Sequence, residues 1–426
     1  MAQKYELFKD SGSIWIGEIP SHWNIGNFRY FGEFTKGKLP STTNIEGKGL
    51  PIIGASEMLG KECRTFTEET NVPLCNSDDI LILWDGANAG IISSRHNGVV
   101  SSTAVKYHCL STKIDNNYLF YYLKSVEPFF KDKVNGTTIP HMNIKYINEV
   151  PMLIPTPQEQ TSIVNFLDQK CKEIESLISL QEEMITELQA YKQSVITEAV
   201  TKGLKPNTKK KDSGVEWIGE IPDGWSVKIL SKIIWLRARL GWKGLKAEEY
   251  VEVGYPFLSA FNIVNNKLDW HDLNFINQQR YEESPEIKLS VGDVLIVKDG
   301  AGIGKTARID VLPNGESTVN SSLGVITPSE LLDYKYLYYF LLSNPFQNMV
   351  GFLKNGMGVP HLTQENMKSV MIPVPSVDEQ RQIASHLDNK VKQIDSLISL
   401  KQEKIAELKD YKKSVIYEYV TGKKRV

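Results

Sequence analysis

The chain says the same thing twice, and this duplication constrains its fold more than any other feature. Asp10-Ser11-Gly12-Ser13-Ile14-Trp15-Ile16-Gly17-Glu18-Ile19-Pro20 returns as Asp212-Ser213-Gly214-Val215-Glu216-Trp217-Ile218-Gly219-Glu220-Ile221-Pro222, and a second tryptophan, Trp23 or Trp225, follows each copy. The tails match as closely. Ser176-Leu177-Ile178-Ser179-Leu180 recurs as Ser396-Leu397-Ile398-Ser399-Leu400, and Tyr191-Lys192 with Ser194-Val195-Ile196 recurs as Tyr411-Lys412 with Ser414-Val415-Ile416. Between these matched ends the two middles diverge. Shared ends around unlike centres let one symmetric frame present two different recognition surfaces.

With 426 residues, the chain is expected to hold about two to four domains, and each half can bury a full core. No apolar run approaches the roughly 20 residues that span a bilayer, and Met1-Ala2-Gln3-Lys4 is not a signal peptide, so a cytoplasmic protein without membrane contact is expected. The four cysteines, Cys63, Cys75, Cys109 and Cys171, lie far apart, which suggests neither a zinc site nor a disulfide framework.

A net charge of −2 argues against a uniformly basic nucleic-acid binder, yet it hides a local pattern. Between Lys228 and Lys246 stand six basic residues (Lys228, Lys232, Arg237, Arg239, Lys243, Lys246), no acidic ones, and Trp235 and Trp242. Cations interleaved with aromatics fit a phosphate-facing surface; a solvated face with its tryptophans packed inward is the alternative.

The repeated tails read as long helices. Each follows a proline-rich exit (Pro151, Pro155, Pro157; Pro373, Pro375), and Glu159-Gln160 or Glu379-Gln380 places a carboxylate in the first turn, where the helix dipole favours it. The helices are predicted to start near 158 and 377. Apolar residues then recur at spacings of three and four, namely Ile174, Leu177, Met184, Leu188, Tyr191 and Val195 in one and Ile394, Leu397, Ile398, Ile405, Leu408 and Val415 in the other. A helix of about 40 to 45 residues is a rod on the order of 60 Å long, and its stripe needs a partner. Residues 158–203 carry eight acidic and four basic side chains, whereas 378–426 carry eleven basic and eight acidic. Opposite charge on similar stripes favours mutual pairing, which predicts an intramolecular antiparallel coiled coil.

Each middle reads as a mixed α/β domain. Asp79-Ile80-Leu81-Ile82-Leu83-Trp84-Asp85-Gly86 matches Asp293-Val294-Leu295-Ile296-Val297-Lys298-Asp299-Gly300, a buried strand entering a tight turn. The aromatic runs 118–123 and 336–341 read as core helices, and His141 and His361 occupy matched loop positions with no metal set nearby. Asp299 to Thr306 imitates a phosphate-binding loop, but Asp299 stands where that loop requires glycine, and the matched first-copy loop lacks the lysine. A nucleotide hydrolase is therefore the enzyme alternative and is disfavoured. A nuclease built on Glu286-Ile287-Lys288 is weaker, for want of an acidic cluster before it.

The order of these motifs, twice over, resembles the specificity subunit of type I restriction–modification systems. The Trp-Ile-Gly-Glu-Ile-Pro segments, the Lys298-Asp299-Gly300 turn, the proline-rich exit into Glu379-Gln380 and the repeated Ser-Leu-Ile-Ser-Leu helix carry the likeness across essentially the whole chain. The resemblance implies target recognition domains at 1–157 and 213–376, helical spacers at 158–203 and 377–426, and a basic linker at 204–212 between them. It implies that each domain reads half of a split double-stranded DNA site and that the helices pair, separate the domains and dock two methyltransferase subunits, with restriction and translocase subunits completing the complex. It implies no catalysis and no cofactor in this chain, with S-adenosylmethionine, ATP and magnesium belonging to the partners. Consistently, the nearest approach to an adenine methyltransferase's Asn-Pro-Pro-aromatic motif is Asn344-Pro345-Phe346, so base flipping falls to another protein. A bipartite site with halves about one helical turn apart needs readers roughly 34 Å apart, and a stiff helical rod is a ruler of that order.

Phosphate contacts fix position and base-edge contacts fix sequence, so the DNA-facing candidates are cations beside polar loop residues. In the second domain these are Arg237, Arg239, Lys243 and Lys246, with Lys298 and Lys305 in the turn. In the first they are Lys36, Lys38, Ser41, Thr42, Thr43 and Lys48, with Asn88 and Arg95 near its turn. Because the two sets differ, an asymmetric target is expected. The alternative from another class is a coiled-coil adaptor whose domains bind protein or carbohydrate, distinguished by weak dependence of binding on salt.

Overall fold

The computed structural model describes residues 5–134, 140–238, 247–300, 302–354, 362–368 and 370–426. The chain forms two compact units, one of residues 1–182 with 402–426 and the other of 183–401. Two long helices, Pro157–Lys202 and Val377–Val420, are 46 and 44 residues long and begin within a residue of the predicted starts. Each helix is divided between the units. A unit therefore consists of a globular domain, the opening half of the helix that follows it, and the closing half of the other helix.

In the first unit a four-stranded antiparallel sheet runs in the order Gly32–Lys36, Ala104–Cys109, Ile80–Leu83, Ile92–Ser94. All four residues of Ile80–Leu83 are buried, as expected of a short apolar run covered on both faces. A second sheet pairs Leu50–Ile53 in parallel with Gly98–Val100 and is flanked by Phe66–Thr67 and Leu74–Cys75. The proline-rich exit is a strand, Pro151–Ile154, in a two-stranded ribbon with Asn24–Asn27, where a missing proline N–H is tolerated. The aromatic run lies in the helix Asn116–Val134, whose Tyr118, Tyr122 and Phe130 are fully buried.

The second unit repeats this plan. Its main sheet is Ile234–Arg237, Leu323–Pro328, Val294–Val297, Thr306–Arg308, its second sheet is Asn274–Ile276, Tyr255–Leu258, Thr318–Val319, and its ribbon joins Ser226–Ile229 to Met371–Val374. Here the aromatic helix is broken into Tyr334–Leu342 and Asn344–Lys354, the break falling just before Pro345.

Sequence-matched side chains dock the helices. Gln160 is 1% exposed; it accepts from Asp115 N at 2.7 Å and donates to the carbonyls of Lys113 and Pro155. Gln380, 0% exposed, repeats this with Asp333 N at 2.7 Å and the carbonyls of Leu331 and Pro375. The closing halves are tied as well: Tyr118 Oη donates to Val420 O at 3.2 Å, and Tyr336 Oη to Val200 O at 3.0 Å. Within the first unit Ile163, Leu167, Cys171 and Ile174 pack with Val415, Ile416 and Tyr419, so the helices run antiparallel. Within the second, Ile196, Ala199 and Val200 share a core with Ile383, Ala384 and Leu387, again antiparallel.

The seam differs in part from the predicted stripe. Ile174, Ile394 and Val415 are buried as expected, and Met184, Leu188, Val195, Ile398, Ile405 and Leu408 are partly buried. Leu177, Tyr191 and Leu397, however, are 48%, 49% and 46% exposed. Spacings of three and four drift around a helix, so a stripe read over six turns includes flanking positions that leave the seam.

Candidate nucleic-acid interface

At one edge of the first unit four loops interlock through their backbones. Lys38 N donates to Val100 O at 3.0 Å, Ser101 N to Ile53 O at 3.0 Å, Trp84 N to Thr103 O at 2.8 Å, and Met142 N to Trp84 O at 2.7 Å. The approach requires glycine at Gly37, where a Cβ would stand 2.1 Å from Ser101 O. It also requires glycine at Gly86, which leaves the central strand with φ +93°. On this edge Asp85 accepts from Lys36 Nζ at 2.7 Å and bonds His141 Nδ1, while Lys36 Nζ lies 5.8 Å from the Trp84 ring centre. Partial burial pushes the Asp85 carboxyl up, but the bonds from Lys36 and His141 outweigh it and hold it below the usual carboxylate range. With Nδ1 engaged, His141 keeps Nε2 for an external partner, and its side chain is 57% exposed.

The remaining first-domain candidates separate. Lys38 and Asn88 are exposed near this edge. Ser41, Thr42, Thr43 and Lys48 lie on a neighbouring loop where acids already take polar groups: Thr42 N and Oγ1 donate to Glu69, and Lys48 Nζ pairs with Glu46 at 2.6 Å. Arg95 is not on this edge. Its backbone is left-handed (φ 63°), and its guanidinium lies 3.6 Å from Asp168 on the first long helix.

In the second unit the matched edge brings Asn320 N to Leu258 O at 2.8 Å and Lys298 N to Ser322 O at 2.8 Å. Lys298 takes the place of Trp84. It is half-buried, and desolvation lowers its ammonium pKa against the opposing pull of Asp299. Lys305, at the far end of the same turn, instead lines a cleft with Lys192 and Asp395. The turn is a strand-to-strand connection, with Gly304 N bonded back to Val297 O at 2.9 Å and the strand Thr306–Arg308 following. A phosphate-binding loop needs a helix N-terminus at that point, so the likeness to one stops at sequence.

Arg237 belongs to the core, not to the edge: it is 7% exposed and its guanidinium is taken by Asp293 and by the carbonyls of Glu286 and Lys288. Arg239, Lys243, Lys246 and His361 lie outside the described residues. Sequence reading missed Phe261, which is 93% exposed on a turn held by Ser259 and the buried Asn262, whose Nδ2 donates to Asp272 O at 2.9 Å. Nothing in the run Ser259-Ala260-Phe261-Asn262 distinguishes an outward aromatic from a core one. Among the described residues there is no group of metal-ligating side chains and no helix long and apolar enough to cross a membrane.

The family model described as the type I restriction modification DNA specificity domain matches residues 20–184 and again 222–410, once on each half. The chain belongs to this specificity family. Its relatives include the MjaVIII type I restriction enzyme specificity subunit of Methanocaldococcus jannaschii, 29% identical across 99% of this chain and 97% of that one. The EcoKI specificity subunit of Escherichia coli K12 is 28% identical over 209 residues, 48% of this chain and 44% of its own. A structure solved to explain complex assembly and conformational transition of the type I R-M system has a TM-score of 0.70 at 17% identity, covering 95% of this chain and 99% of that one, a likeness of fold. Specificity subunits are the non-catalytic components of type I restriction–modification complexes, and the DNA-binding role of this chain follows from the family.

Proposed function

We propose that this chain reads a bipartite, asymmetric site on double-stranded DNA. The domain at 1–157 reads one half-site and the domain at 213–376 the other, and the helices at 158–203 and 377–426 set the spacer between them. The observation that carries this reading is one frame with two different edges. Trp84, Lys36, Asp85 and His141 stand on the first, and Lys298 and Phe261 on the matched second. A donor-rich edge and an edge with a projecting aromatic suit different base pairs, the first through hydrogen bonds and the second through apolar contact.

Partner docking is supported by apolar side chains left outside the helix seams. Leu177, Leu180 and Tyr411 in the first unit are 48%, 48% and 49% exposed, and their matches Leu397, Leu400 and Tyr191 in the second are 46%, 59% and 49% exposed. The same apolar set occurring once in each unit fits two copies of one partner, the methyltransferase subunit, with restriction and translocase subunits assembling around them. S-adenosylmethionine, ATP and magnesium would be bound by those subunits.

The test is to co-express the chain with a methyltransferase subunit and map methylated adenines across the host genome by single-molecule sequencing. Two unlike half-motifs around a fixed run of unread bases are expected. A complex that forms without such a motif, and whose DNA affinity does not fall with salt, would replace this reading with the adaptor.

A further inference from the structure

Two acidic residues of the second long helix fasten the second domain to it, and among the described residues the first domain is fastened at only the first of the two matching positions. Asp388 accepts from Tyr339 Oη at 2.6 Å and pairs with Arg308 at 2.6 Å, both on the globular domain. In the first unit the equivalent node is Asp168, which accepts from Tyr121 Oη at 2.7 Å and lies 3.6 Å from Arg95. Thus far the units agree.

Seven residues further along, about 10 Å up the helix axis, Asp395 makes a second attachment. Its two carboxylate oxygens divide their work. One takes Lys192 of the neighbouring helix at 2.8 Å, and the other takes Lys267 of the globular domain at 2.9 Å. Lys267 opens the second strand of a hairpin, Ile263–Val264 with Lys267–Leu268, turned by Asn265 and Asn266 at φ 50° and 58°. The hairpin's tip is itself anchored: Asn266 Oδ1 accepts from Thr306 N at 3.2 Å and Asn266 O from Tyr338 Oη at 2.9 Å. At the matching helix position the first unit has Glu175, which pairs with Lys412 of the other helix. The buried glutamines and the shared cores hold each domain along the opening turns of its helix, and in the second unit the Lys267–Asp395 tie extends that hold about two turns beyond Asp388, lengthening the lever that resists a change of angle.

We propose that Lys267 and Asp395 are a positioning pair that fixes the angle of the second domain on its helix and so restricts the half-site spacing the protein accepts. The proposal rests on the bipartite reading above. Lys267→Met removes the domain-to-helix tie and leaves the Lys192–Asp395 pair between helices intact. Lys267 is 66% exposed, so its removal leaves the core whole.

The experiment is genome-wide methylation mapping of the complex with a methyltransferase subunit, comparing wild type, Lys267→Met, Lys267→Arg and the double variant Lys267→Met/Tyr339→Phe. For Lys267→Met the two half-motifs stay unchanged, while methylation at sites with one base pair more or less between them rises about three- to fivefold, the scale of one exposed ion pair. Lys267→Arg restores the single spacing, and the double variant relaxes it further. An unchanged spacing in both Met-containing variants overturns the proposal, as does an altered half-motif, which would make Lys267 a reader of bases. No split motif with wild type would instead bring down the bipartite reading itself.

Discussion

Arg237 closes on Asp293 in the interior of the second domain, one guanidinium nitrogen lying 2.8 Å from each carboxylate oxygen. Asp293 is 0% exposed and is also held by Thr327 and by Ser290 N. The first domain has a related arrangement: Asp79, 1% exposed, takes His108 Nδ1 at 2.7 Å, Asn76 N at 2.9 Å and, at 3.7 Å, Lys106. In both, a carboxylate just ahead of a buried central strand is held by side chains from other strands of the same sheet. The cations differ while the acid is repeated.

Removing Arg237 strands a buried charge, and the cost of that is about 3 kcal/mol or more. Arg237→Met is therefore expected to lower the unfolding midpoint of the second domain by roughly 6 to 12 °C, on the basis of about 2 to 4 °C per kcal/mol for a domain this large. Differential scanning calorimetry reads this directly. An unshifted midpoint with weakened DNA binding would return Arg237 to the phosphate-facing set.

The proposed DNA edge of the first domain makes a sharper distinction among its cations. Each phosphate contact contributes about 0.9 to the slope of log affinity against log salt. Lys38→Ala is expected to lower that slope by about one. Lys48→Ala, whose ammonium is taken by Glu46, and Arg95→Ala, whose partner is Asp168, leave it as it was. Fluorescence anisotropy on duplex DNA over a salt series checks all three.

Glu159 gives the first helix junction a pH dependence. Partial burial pushes its carboxyl up, but the Thr156 hydroxyl, His22, the Thr156 backbone N–H and the Trp23 indole outweigh this and bring it down to about 2. A carboxylate depressed on folding stabilises fully above its unfolded value near 4.5, and that contribution is lost as pH falls from there through about 2. After solvent screening the contribution is about 1 kcal/mol. The difference in unfolding midpoint between wild type and Glu159→Gln should accordingly be largest at pH 6 and narrow progressively as the pH falls from 4.5 toward 2. A difference that stays constant across this range would remove Glu159 from that role.

The frame was legible because the sequence states it twice. Gln160 and Gln380, picked out as helix-opening residues, are the buried side chains that satisfy the loops Lys113–Asp115 and Leu331–Asp333. What resisted reading is which cations face outward. Arg237 sits in a stretch whose composition suits a phosphate surface, but its partner Asp293 lies 56 residues away, and Arg95 finds Asp168 on a helix beyond the domain's end. Composition carries no information on pairings at that separation. Leu177 and Leu397 failed for a geometric reason, since apolar spacing marks a face without saying whether the other helix or a separate protein covers it.

That last ambiguity yields a prediction on stoichiometry. If the exposed leucines of each Ser-Leu-Ile-Ser-Leu segment seat a methyltransferase subunit, a carboxylate there opposes burial without touching the core, because Leu180 and Leu400 are 48% and 59% exposed. Leu180→Asp should then reduce the complex from two methyltransferase subunits to one, Leu400→Asp should do the same at the other position, and the double variant should bind none. Native mass spectrometry of the purified complexes counts the subunits, and the melting curve of each isolated variant should overlay that of wild type. Because the two positions belong to different units, loss at one is independent of the other. Simultaneous loss of both subunits from a single substitution would mean that the methyltransferases bind as a preformed pair, and full retention in the double variant would place their seat elsewhere on the helices.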